Sequence, residues 1–324
     1  MYSKFVNLKY VIPILCLGIL PLFLHGNYML HLLIMCLIWL ILSSSLNLIM
    51  GYAGGASLGH GALYGLGAYT SAILVTTLHY PVWLSILIAI IVTTIAGAIV
   101  GAIALRTKGI YFAIVTLGVG AVVYEIFDKS INLTGGPMGI RGIPYPENIG
   151  PFVIDSKLAF FYLFVIISAL VVFLICRLVH SRFGETLIAI REDDVLSKAM
   201  GINLTRYKIV AFCFSSGIAG LAGALYAHYI TYISPNLFTV ATSFDILVIT
   251  IVGGAGTIYG PIVGAFLLTL LPEALRVSAD FRMMGYAVLL LLIIIFWPEG
   301  IVGFVKHKWK AYWSQKRALA QINK

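Results

Sequence analysis

Charged residues are scarce in this 324-residue chain, in which 21 residues are basic and 12 are acidic, or 10% of the sequence. Soluble globular domains carry roughly 25% charged residues. Hydrophobic residues make up 61% of the chain. This balance excludes an ordinary soluble domain and predicts an integral membrane protein. In such a protein the net charge of +9 reflects orientation across the bilayer, so we do not expect nucleic acid as a partner.

Residues that would supply chemistry or energy are also few. No glycine is followed directly by lysine, so the phosphate-binding loop of ATPases is absent. The four cysteines lie in or beside apolar runs and lack metal-ligand spacing. No set of His, Asp and Cys is clustered in the apolar segments. These absences argue against an enzyme and against a metal site in this chain.

Carboxylates are nearly missing from the apolar segments. Before the C-terminal end, those inside or beside these segments are Glu125, Asp245 and Glu273, and all three are predicted to lie towards the outer side. Transporters driven by protons or sodium ions usually have ionisable or unwound polar sites near the middle of the membrane. The pattern favours a protein whose energy enters through another chain.

Ten apolar segments approach the length of membrane-spanning helices, which need about 20 residues. They cover residues 10–25, 28–50, 54–78, 82–104, 109–127, 158–178, 209–231, 244–260, 261–276 and 283–302. A Gly-rich joint leaves open whether the eighth and ninth are two spans, one broken helix or a re-entrant pair. We predict an all-α polytopic membrane protein with about ten transmembrane helices.

The predicted membrane domain covers residues 10–303, between an N-terminus at 1–9 and a basic tail at 304–324. Most Lys and Arg residues fall on the side of both termini, which is therefore predicted to be cytoplasmic. Two long polar segments interrupt the domain. Residues 128–157, rich in Gly and Pro, are predicted to form an outside loop. Residues 177–208, the most highly charged segment, are predicted to be cytoplasmic.

The charged segment contains helical signals. Residues Glu185 to Met200 fit one short helix. Alternatively, Asp193 or Asp194 caps a second short helix that Gly201 ends. A solvated loop lying on the lipid headgroups fits the composition equally well.

Small residues recur every four positions near residue 55. They fit two helical stripes, Gly51, Gly55 and Gly59, and Ser57, Gly61 and Gly65. Such spacing favours close helix packing in lipid, and it recurs at Gly97 with Gly101 and in the later cluster that includes Gly253 and Gly254. Glycine clusters can instead mark unwound backbone beside a substrate path. His60 is a candidate path residue, although a histidine satisfied by a backbone carbonyl is commoner.

Several long motifs follow one another in the order of a known family. They are GYAGGASLGHGALYGLGAY, LRTKGIYFAIVTL, LTGGPMGIRGIP, RFGETLIAIREDDVLSKAMGINLTRYK, GIAGLAGALYAHYITYISP, GGAGTIYGPIVGA and WPEGI. From about residue 40 to about residue 303 the chain resembles LivM-type permeases of branched-chain amino-acid ABC importers. The resemblance implies a multi-pass subunit of the bacterial inner membrane that works by alternating access.

The resemblance also implies partners. A LivH-like permease would pair with this chain, and two ATPase subunits would bind on the cytoplasmic side. ATP and Mg would bind to those ATPases, with no cofactor in this chain. An extracytoplasmic binding protein would deliver the substrate to the outside loop, where the predicted contacts are Asp128, Lys129, Arg141 and Glu147.

In such importers a short cytoplasmic helix of each permease fits a groove on an ATPase. The residues that would couple here are Glu185, Arg191, Glu192, Asp193, Asp194, Ala199 and Gly201. Acidic residues among them are expected to contact the ATPase by charge, and Ala199 and Gly201 to permit close packing. The chain departs from the family where Leu196 and Ser197 replace paired small residues, which affects the geometry of docking.

A second departure concerns the substrate path. The residues predicted to line it, or to pack helices tightly, are Gly54, Gly55, Ser57, Gly59, His60, Gly61, Gly253 and Gly254. Gly54, Gly55 and Ala56 stand where the family commonly has Gly-Gln and a large apolar residue, so the substrate preference could differ. A urea or short-amide importer is an alternative, because related permeases share these motifs and selectivity lies largely in the binding protein. A stand-alone secondary transporter or channel is the alternative from another class.

Overall fold

A computed structural model describes residues 26–107, 109–147 and 156–274, with isolated positions at residues 11, 14, 18, 291, 295–296 and 300–304. The predicted N-terminus at 1–9 and nearly all of the span at 10–25 lie outside the described residues. Most of the span at 283–302 and nearly all of the tail at 304–324 lie outside them as well.

The long described ranges are almost entirely helical. In chain order the helices are α1 (Asn27–Asn47), continued by a π-helix (Leu48–Tyr52), α2 (His60–Thr76), α3 (Val82–Ala104), α4 (Ile110–Lys129), α5 (Ile131–Thr134), α6 (Lys157–Val179), α7 (Arg182–Glu192), α8 (Asp194–Ala199), α9 (Leu204–Ile230), α10 (Val240–Gly253) and α11 (Tyr259–Ala274). Short 3-10 turns cover Gly136–Met138 and Pro235–Phe238. Strands β1 (Ile140–Arg141) and β2 (Tyr232–Ile233) form a two-residue antiparallel ribbon.

Six helical segments within the described ranges are long and apolar enough to cross a membrane. They are Asn27–Tyr52, Val82–Ala104, Ile110–Lys129, Lys157–Val179, Leu204–Ile230 and Pro235–Gly253. α2 and α11 are shorter, at 17 and 16 residues. The prediction of an all-α polytopic membrane protein is confirmed, whereas the count of about ten spans stays a prediction.

The third helix, α3, has its large side chains on the outside. Its exposed face carries a stripe of large apolar residues, Leu87, Ile91, Ile95, Ile99 and Ile103. Its buried face carries small residues at the same spacing, Ser85, Ala89, Thr93, Gly97 and Gly101. Large apolar side chains on the outer surface suit contact with lipid, and a face of small residues lets a neighbouring helix approach closely.

The neighbouring helix on this small face is α9. A Cβ added at Gly97 would overlap Ser216 Oγ, and one at Gly220 would overlap Thr93 Oγ1. On the other side of α9, a Cβ at Gly223 would overlap the carbonyl oxygen of Tyr64 in α2. Helices α2, α3 and α9 therefore pack at backbone contact, which confirms the predicted packing role of Gly97.

Helix α1 lies at the centre of the bundle. Of its most apolar 18-residue stretch 83% is buried, and it contacts α6, α9, α10 and α11. A helix that is apolar on all sides is expected in such a position. Because α1 contacts four other helices, a displacement of either of its ends would also displace helices that pack against it.

The connections gather at two poles. The charged pole comprises residues 51–55, 105–107, 180–204 and 254–257, and the loop pole comprises residues 77–81, 130–147 and 231–239. At the loop pole, Trp83 Nε1 donates to the carbonyl oxygen of Glu147 (3.1 Å), and His228 Nδ1 donates to that of Pro144 (2.8 Å). These bonds and the β1–β2 ribbon attach the described part of the predicted outside loop to α3 and α9.

We expect Gly220→Ala to lower the unfolding temperature of the purified chain in detergent. Its Cβ would overlap Thr93 Oγ1, and overpacking of a close contact costs about 1–3 kcal/mol. Gly118→Ala is the matched control, because a Cβ at this helical glycine meets nothing within 4 Å. An equal effect of the two substitutions would contradict the close packing of α3 against α9.

Candidate coupling site

The predicted coupling segment forms two short helices, α7 and α8, joined at Asp193. The Oδ1 atom of Asp193 accepts hydrogen bonds from the backbone N–H groups of Val195 (2.9 Å) and Leu196 (3.0 Å), as an N-cap does. Gly201, just after α8, has a φ of +82°, which favours glycine. The prediction of one helix from Glu185 to Met200 is wrong. The alternative, a second helix capped by Asp193 and ended by Gly201, is confirmed.

Three acidic residues of this segment are bound within the chain. Glu192 forms an ion pair with Arg191, and Asp194 forms one with Lys208 at 3.0 Å. Asp193 is engaged as the cap. Glu185, in the first turn of α7, is exposed. The carboxylates of Glu192, Asp193 and Asp194 thus shape the segment, while their predicted contact with an ATPase stays a prediction.

Apolar side chains form an exposed surface on α8. The α8 patch consists of Val195, Leu196 and Met200, whose exposed fractions are 76%, 59% and 75%. Ala199 beside them is also exposed, whereas Ser197 is buried against the membrane domain. Exposed apolar groups in a charged segment indicate a contact surface. From the sequence, charged residues were predicted to make the contact, because so short a helix has no periodicity to show which face is free.

Arg191 is exposed, but its side chain also reaches the end of α1. Its Nη1 donates a 2.5 Å hydrogen bond to the carbonyl oxygen of Gly51, in the π-helix that ends α1. A Cβ added at Gly54 would lie 3.2 Å from its Cγ, and one at Gly256 would lie 2.6 Å from Nη1. Arg191 therefore contacts two further segments of the charged pole, around residues 54 and 256.

The first of these segments is not helical. Residues 53–59 separate the π-helix from α2, and Gly54 has a φ of +76°. The predicted span at 54–78 therefore begins as a helix only at His60. The predicted stripes of Gly51, Gly55 and Gly59, and of Ser57, Gly61 and Gly65, are wrong because no single helix carries them. The spacing of small residues is the same in a continuous helix and in a broken one.

Backbone groups at this break are satisfied by neighbouring elements. Gly55 N donates to the carbonyl oxygen of Ile49 (3.0 Å), and Leu58 N donates to Thr116 Oγ1 (3.0 Å). Thr116 is six residues, or about 9 Å, into α4 from the charged pole. The unwound segment thus reaches inside the bundle, and non-helical backbone at such depth is tolerated only where protein or a water-filled cavity surrounds it.

The second segment is the break between α10 and α11. The amide of Asn47 bridges it, because Nδ2 donates to the carbonyl oxygen of Thr257 (2.8 Å) and Oδ1 accepts from Gly256 N (2.8 Å). Gly254 and Gly256 have φ values of +120° and +75°. Asn47 therefore holds this second break against the end of α1.

The other predicted path residues lie at close contacts between elements. Cβ atoms at Gly59 and Gly61 would lie 2.7 Å from the carbonyl oxygen of Thr116 and from Ser243 Oγ, respectively. A Cβ at Gly55 would lie 3.2 Å from the Phe112 ring, and one at Gly253 would overlap the carbonyl oxygen of Gly260. Ser57 is fully buried. These positions have little room for a side chain, and their role in a substrate path stays a prediction.

His60 begins α2 in a buried polar chain. Its Nε2 lies 2.7 Å from Ser215 Oγ, which donates to the carbonyl oxygen of Ser45 (2.6 Å). Because Ser215 uses its proton on Ser45, the His60 Nε2–H is the donor to Ser215. His60 therefore ties α2 to α9 and α1 with no exposed surface. Its Nδ1, with no hydrogen-bond partner, is one of three such buried side-chain atoms in the described residues.

The residues predicted to receive a binding protein lie at the opposite end of the structure. Lys129 pairs with Glu125 at 2.9 Å on the last turn of α4, beside the half-buried Asp128. Arg141 is in β1 with its guanidinium over the Tyr232 ring, and Glu147 is exposed. All four residues share one pole, although the loop residues 148–155 lie outside the described ranges.

We expect Arg191→Ala to loosen the charged pole. Loss of the charge-assisted bond to Gly51 should raise amide hydrogen exchange at residues 51–59 and 254–258 by about tenfold. Gly256→Ala, whose Cβ would press on Arg191 Nη1, should act in the same direction. Hydrogen exchange measured by mass spectrometry on the chain in nanodiscs tests both substitutions. Arg182→Ala, at an exposed position of α7, is the control. Unchanged exchange in both variants would contradict the contact.

Comparison with known proteins identifies related chains. The family model described as "Branched-chain amino acid transport system / permease component" matches residues 28–297. The permease protein LivM of the high-affinity branched-chain amino acid transport system of Salmonella typhimurium is 32% identical over 85% of this chain and 70% of the relative. The Escherichia coli LivM protein matches at 32% identity with the same coverage.

More distant relatives carry other names. A probable branched-chain amino acid transport permease LivM of Methanocaldococcus jannaschii is 28% identical over 83% of this chain and 92% of the relative. An autoinducer 2 import system permease, LsrC of Salmonella typhi, is 24% identical over 70% of this chain and 61% of its own length. No solved structure matches significantly.

The family model spans the described membrane helices, the two breaks and the coupling segment. The resemblance that the motifs predicted is confirmed by this match and by the 32% identity to the LivM proteins. This chain belongs to the family of permease components of branched-chain amino acid transport systems.

Proposed function

We propose that this chain is one permease subunit of an ATP-driven importer that carries branched-chain or other hydrophobic amino acids inward. The observation that carries the proposal is the series of contacts at the charged pole that connects α8, α7 and the end of α1. An exposed apolar patch on α8 adjoins α7, and Arg191 of α7 bonds the backbone where α1 ends. Membership of the permease family supplies the substrate class.

The ATPase is proposed to bind at the α8 patch. The patch offers three large side chains with most of their surface free, and their burial would contribute the apolar part of an interface. The Asp194–Lys208 ion pair, with side chains 27% and 18% exposed, attaches α8 to α9. A displacement of α8 is therefore passed directly to a membrane-crossing helix.

Movement is proposed to reach the substrate path through Arg191 and Asn47. Arg191 bonds the end of α1 and contacts the break at residues 53–59, while Asn47 bonds the break at residues 254–258. Unwound segments can change backbone angles at lower cost than continuous helices can. Their rearrangement would switch the opening of the bundle between the two sides of the membrane, with all covalent chemistry left to the ATPases, which would hold ATP and Mg.

Orientation and partners follow from this proposal. The charged pole would face the cytoplasm with both chain termini, as the distribution of basic residues predicts. The loop pole would face outward in the bacterial inner membrane and receive the substrate-binding protein near Lys129 and Arg141. A LivH-like permease would complete the transmembrane pathway, and two ATPase subunits would bind on the cytoplasmic side.

Uptake into liposomes tests the proposal. We expect radiolabelled leucine to accumulate only when this chain is reconstituted with the second permease, the ATPases, the binding protein and ATP. Uptake by this chain alone, driven by an ion gradient, would instead establish a secondary transporter. Uptake of urea or acetamide in place of leucine by the complete complex would assign the short-amide alternative.

A matched pair of substitutions tests the docking surface. We expect Leu196→Glu to reduce co-purification of the ATPase by about tenfold, because a carboxylate in the apolar contact would be desolvated without a partner. Leu133→Glu introduces the same charge at a leucine of similar exposure, 61% against 59%, on the loop pole. ATPase recovery should be normal in this control. Normal recovery with Leu196→Glu would remove α8 from the interface.

A further inference from the structure

Asp245 lies on an exposed face of α10. The face consists of Ala241, Phe244 and Asp245, which share one side of the helix at positions i, i+3 and i+4 and are all exposed. On the opposite side, Ser243, Ile246 and Ile249 are buried against the bundle. The face presents a single carboxylate in an otherwise apolar surface.

The depth of Asp245 in the bundle follows from its neighbours. Two residues earlier, Ser243 Oγ accepts a hydrogen bond from Gly61 N (2.9 Å), next to His60, which bonds Ser215 of α9 (2.7 Å). Ser215 is 11 residues, or about 16 Å, from the end of α9 at the charged pole, and the whole helix is about 40 Å long. Asp245 is therefore near the middle of the bundle along the direction of α9, whereas the sequence predicted a position towards the outer end of a span.

The sequence prediction failed because of where α10 begins. After β2 the chain turns inward through the 3-10 turn Pro235–Phe238, whose Phe238 ring packs on Tyr64 and Tyr69 of α2. Helix α10 then starts inside the bundle and runs only 14 residues to the charged pole. Asp245 precedes its last residue, Gly253, by about 12 Å.

A carboxylate at this depth needs a counter-charge or water. Charged groups in spanning segments are costly, and they normally face a water-filled cavity or a partner of opposite charge. Among the described residues, no side chain or backbone group forms an ion pair or hydrogen bond with Asp245. The partner of Asp245 is therefore to be sought outside the described chain.

We propose that Asp245 lines the substrate path and accepts a hydrogen bond from the α-ammonium group of the transported amino acid. This inference rests on the proposed function and deepens it. The exposed Phe244 ring, 46% of whose residue surface is free, supplies an apolar contact for an aliphatic side chain. One carboxylate within an apolar face complements a ligand that carries one ammonium group and one hydrophobic side chain.

The surface between Asp245 and the loop pole continues this path. Asn236, exposed in the 3-10 turn that precedes α10, accepts a hydrogen bond from Tyr124 OH of α4 (3.1 Å). Helices α4 and α10 and this turn are in mutual contact. A polar pair thus lies at the inner edge of the loop pole, where substrate is proposed to arrive, on the side that leads to Asp245.

Cysteine labelling tests whether water reaches the face of α10 that carries Asp245. In the complete complex, Asp245→Cys should react with a charged, membrane-impermeant methanethiosulfonate reagent, and leucine-loaded binding protein with ATP should alter the rate. Ile95→Cys on the outer face of α3 is the control, since Ile95 is 55% exposed, also far from both helix ends, and proposed to face lipid. The Ile95→Cys variant should show no labelling beyond the background that the native cysteines of the wild-type complex give. Failure of Asp245→Cys to react would overturn the inference.

Charge variants test the ligand. We expect Asp245→Asn to lower leucine uptake by the complete complex about tenfold, the loss typical of a hydrogen bond to a charged group. Asp245→Glu should retain more leucine uptake than Asp245→Asn. The second permease and the ATPases should co-purify with both variants in normal amounts. Wild-type uptake in Asp245→Asn would overturn the inference. Loss of the second permease from that variant would also overturn it, by assigning Asp245 to an ion pair between subunits.

The two experiments separate this inference from the proposed function. If the wild-type complex shows no ATP-dependent uptake, the importer proposal fails, and the labelling at residue 245 still reports whether a water path passes Asp245. If the wild-type complex transports leucine and Asp245→Asn does so equally well, the importer proposal stands and the role of Asp245 is refuted.

Discussion

Inside a bilayer, a backbone N–H or C=O group that leaves a helix must find a partner within the protein, because the lipid offers none. This constraint determines how the chain can be broken. The break at residues 53–59 is held by Thr116 and by the carbonyl oxygen of Ile49. The break at residues 254–258 is held by the side-chain amide of Asn47. Each break therefore depends on residues from another helix, and the two are joined through the end of α1.

The coupling segment is attached at the same place. Arg191 extends from α7 to the carbonyl oxygen of Gly51, so the backbone acceptor freed near the end of α1 is bonded by the segment that presents the α8 patch. Helices α2, α3 and α9 pack closely at small residues and form a rigid unit beside these breaks. A moving partner at α8 would act on the unwound backbone more readily than on this packed core.

Much of the architecture was predictable from local patterns. Composition and apolar segment length identified a helical membrane protein, and Asp193 and Gly201 gave the correct alternative for the coupling helices, because capping depends on residues within a few positions. The glycine stripes at residues 51–65 were misassigned, since spacing alone does not reveal that Thr116, 58 residues away, bonds Leu58 N in a non-helical segment. Asp245 was predicted near the outer end of a span at 244–260, whereas the structure places it eight residues before the end of α10, which covers Val240–Gly253.

Local sequence was enough to indicate that the chain forms membrane helices, that its most highly charged segment is central and that it shares the motifs of a permease family. These properties depend on composition and on neighbours along the chain. The tertiary structure was needed to show that Arg191 bonds the end of α1 while Val195, Leu196 and Met200 are exposed, and that Asp245 lies eight residues before the end of α10. Those outcomes are set by contacts between distant segments, which must satisfy each polar backbone group and fill the space between helices together.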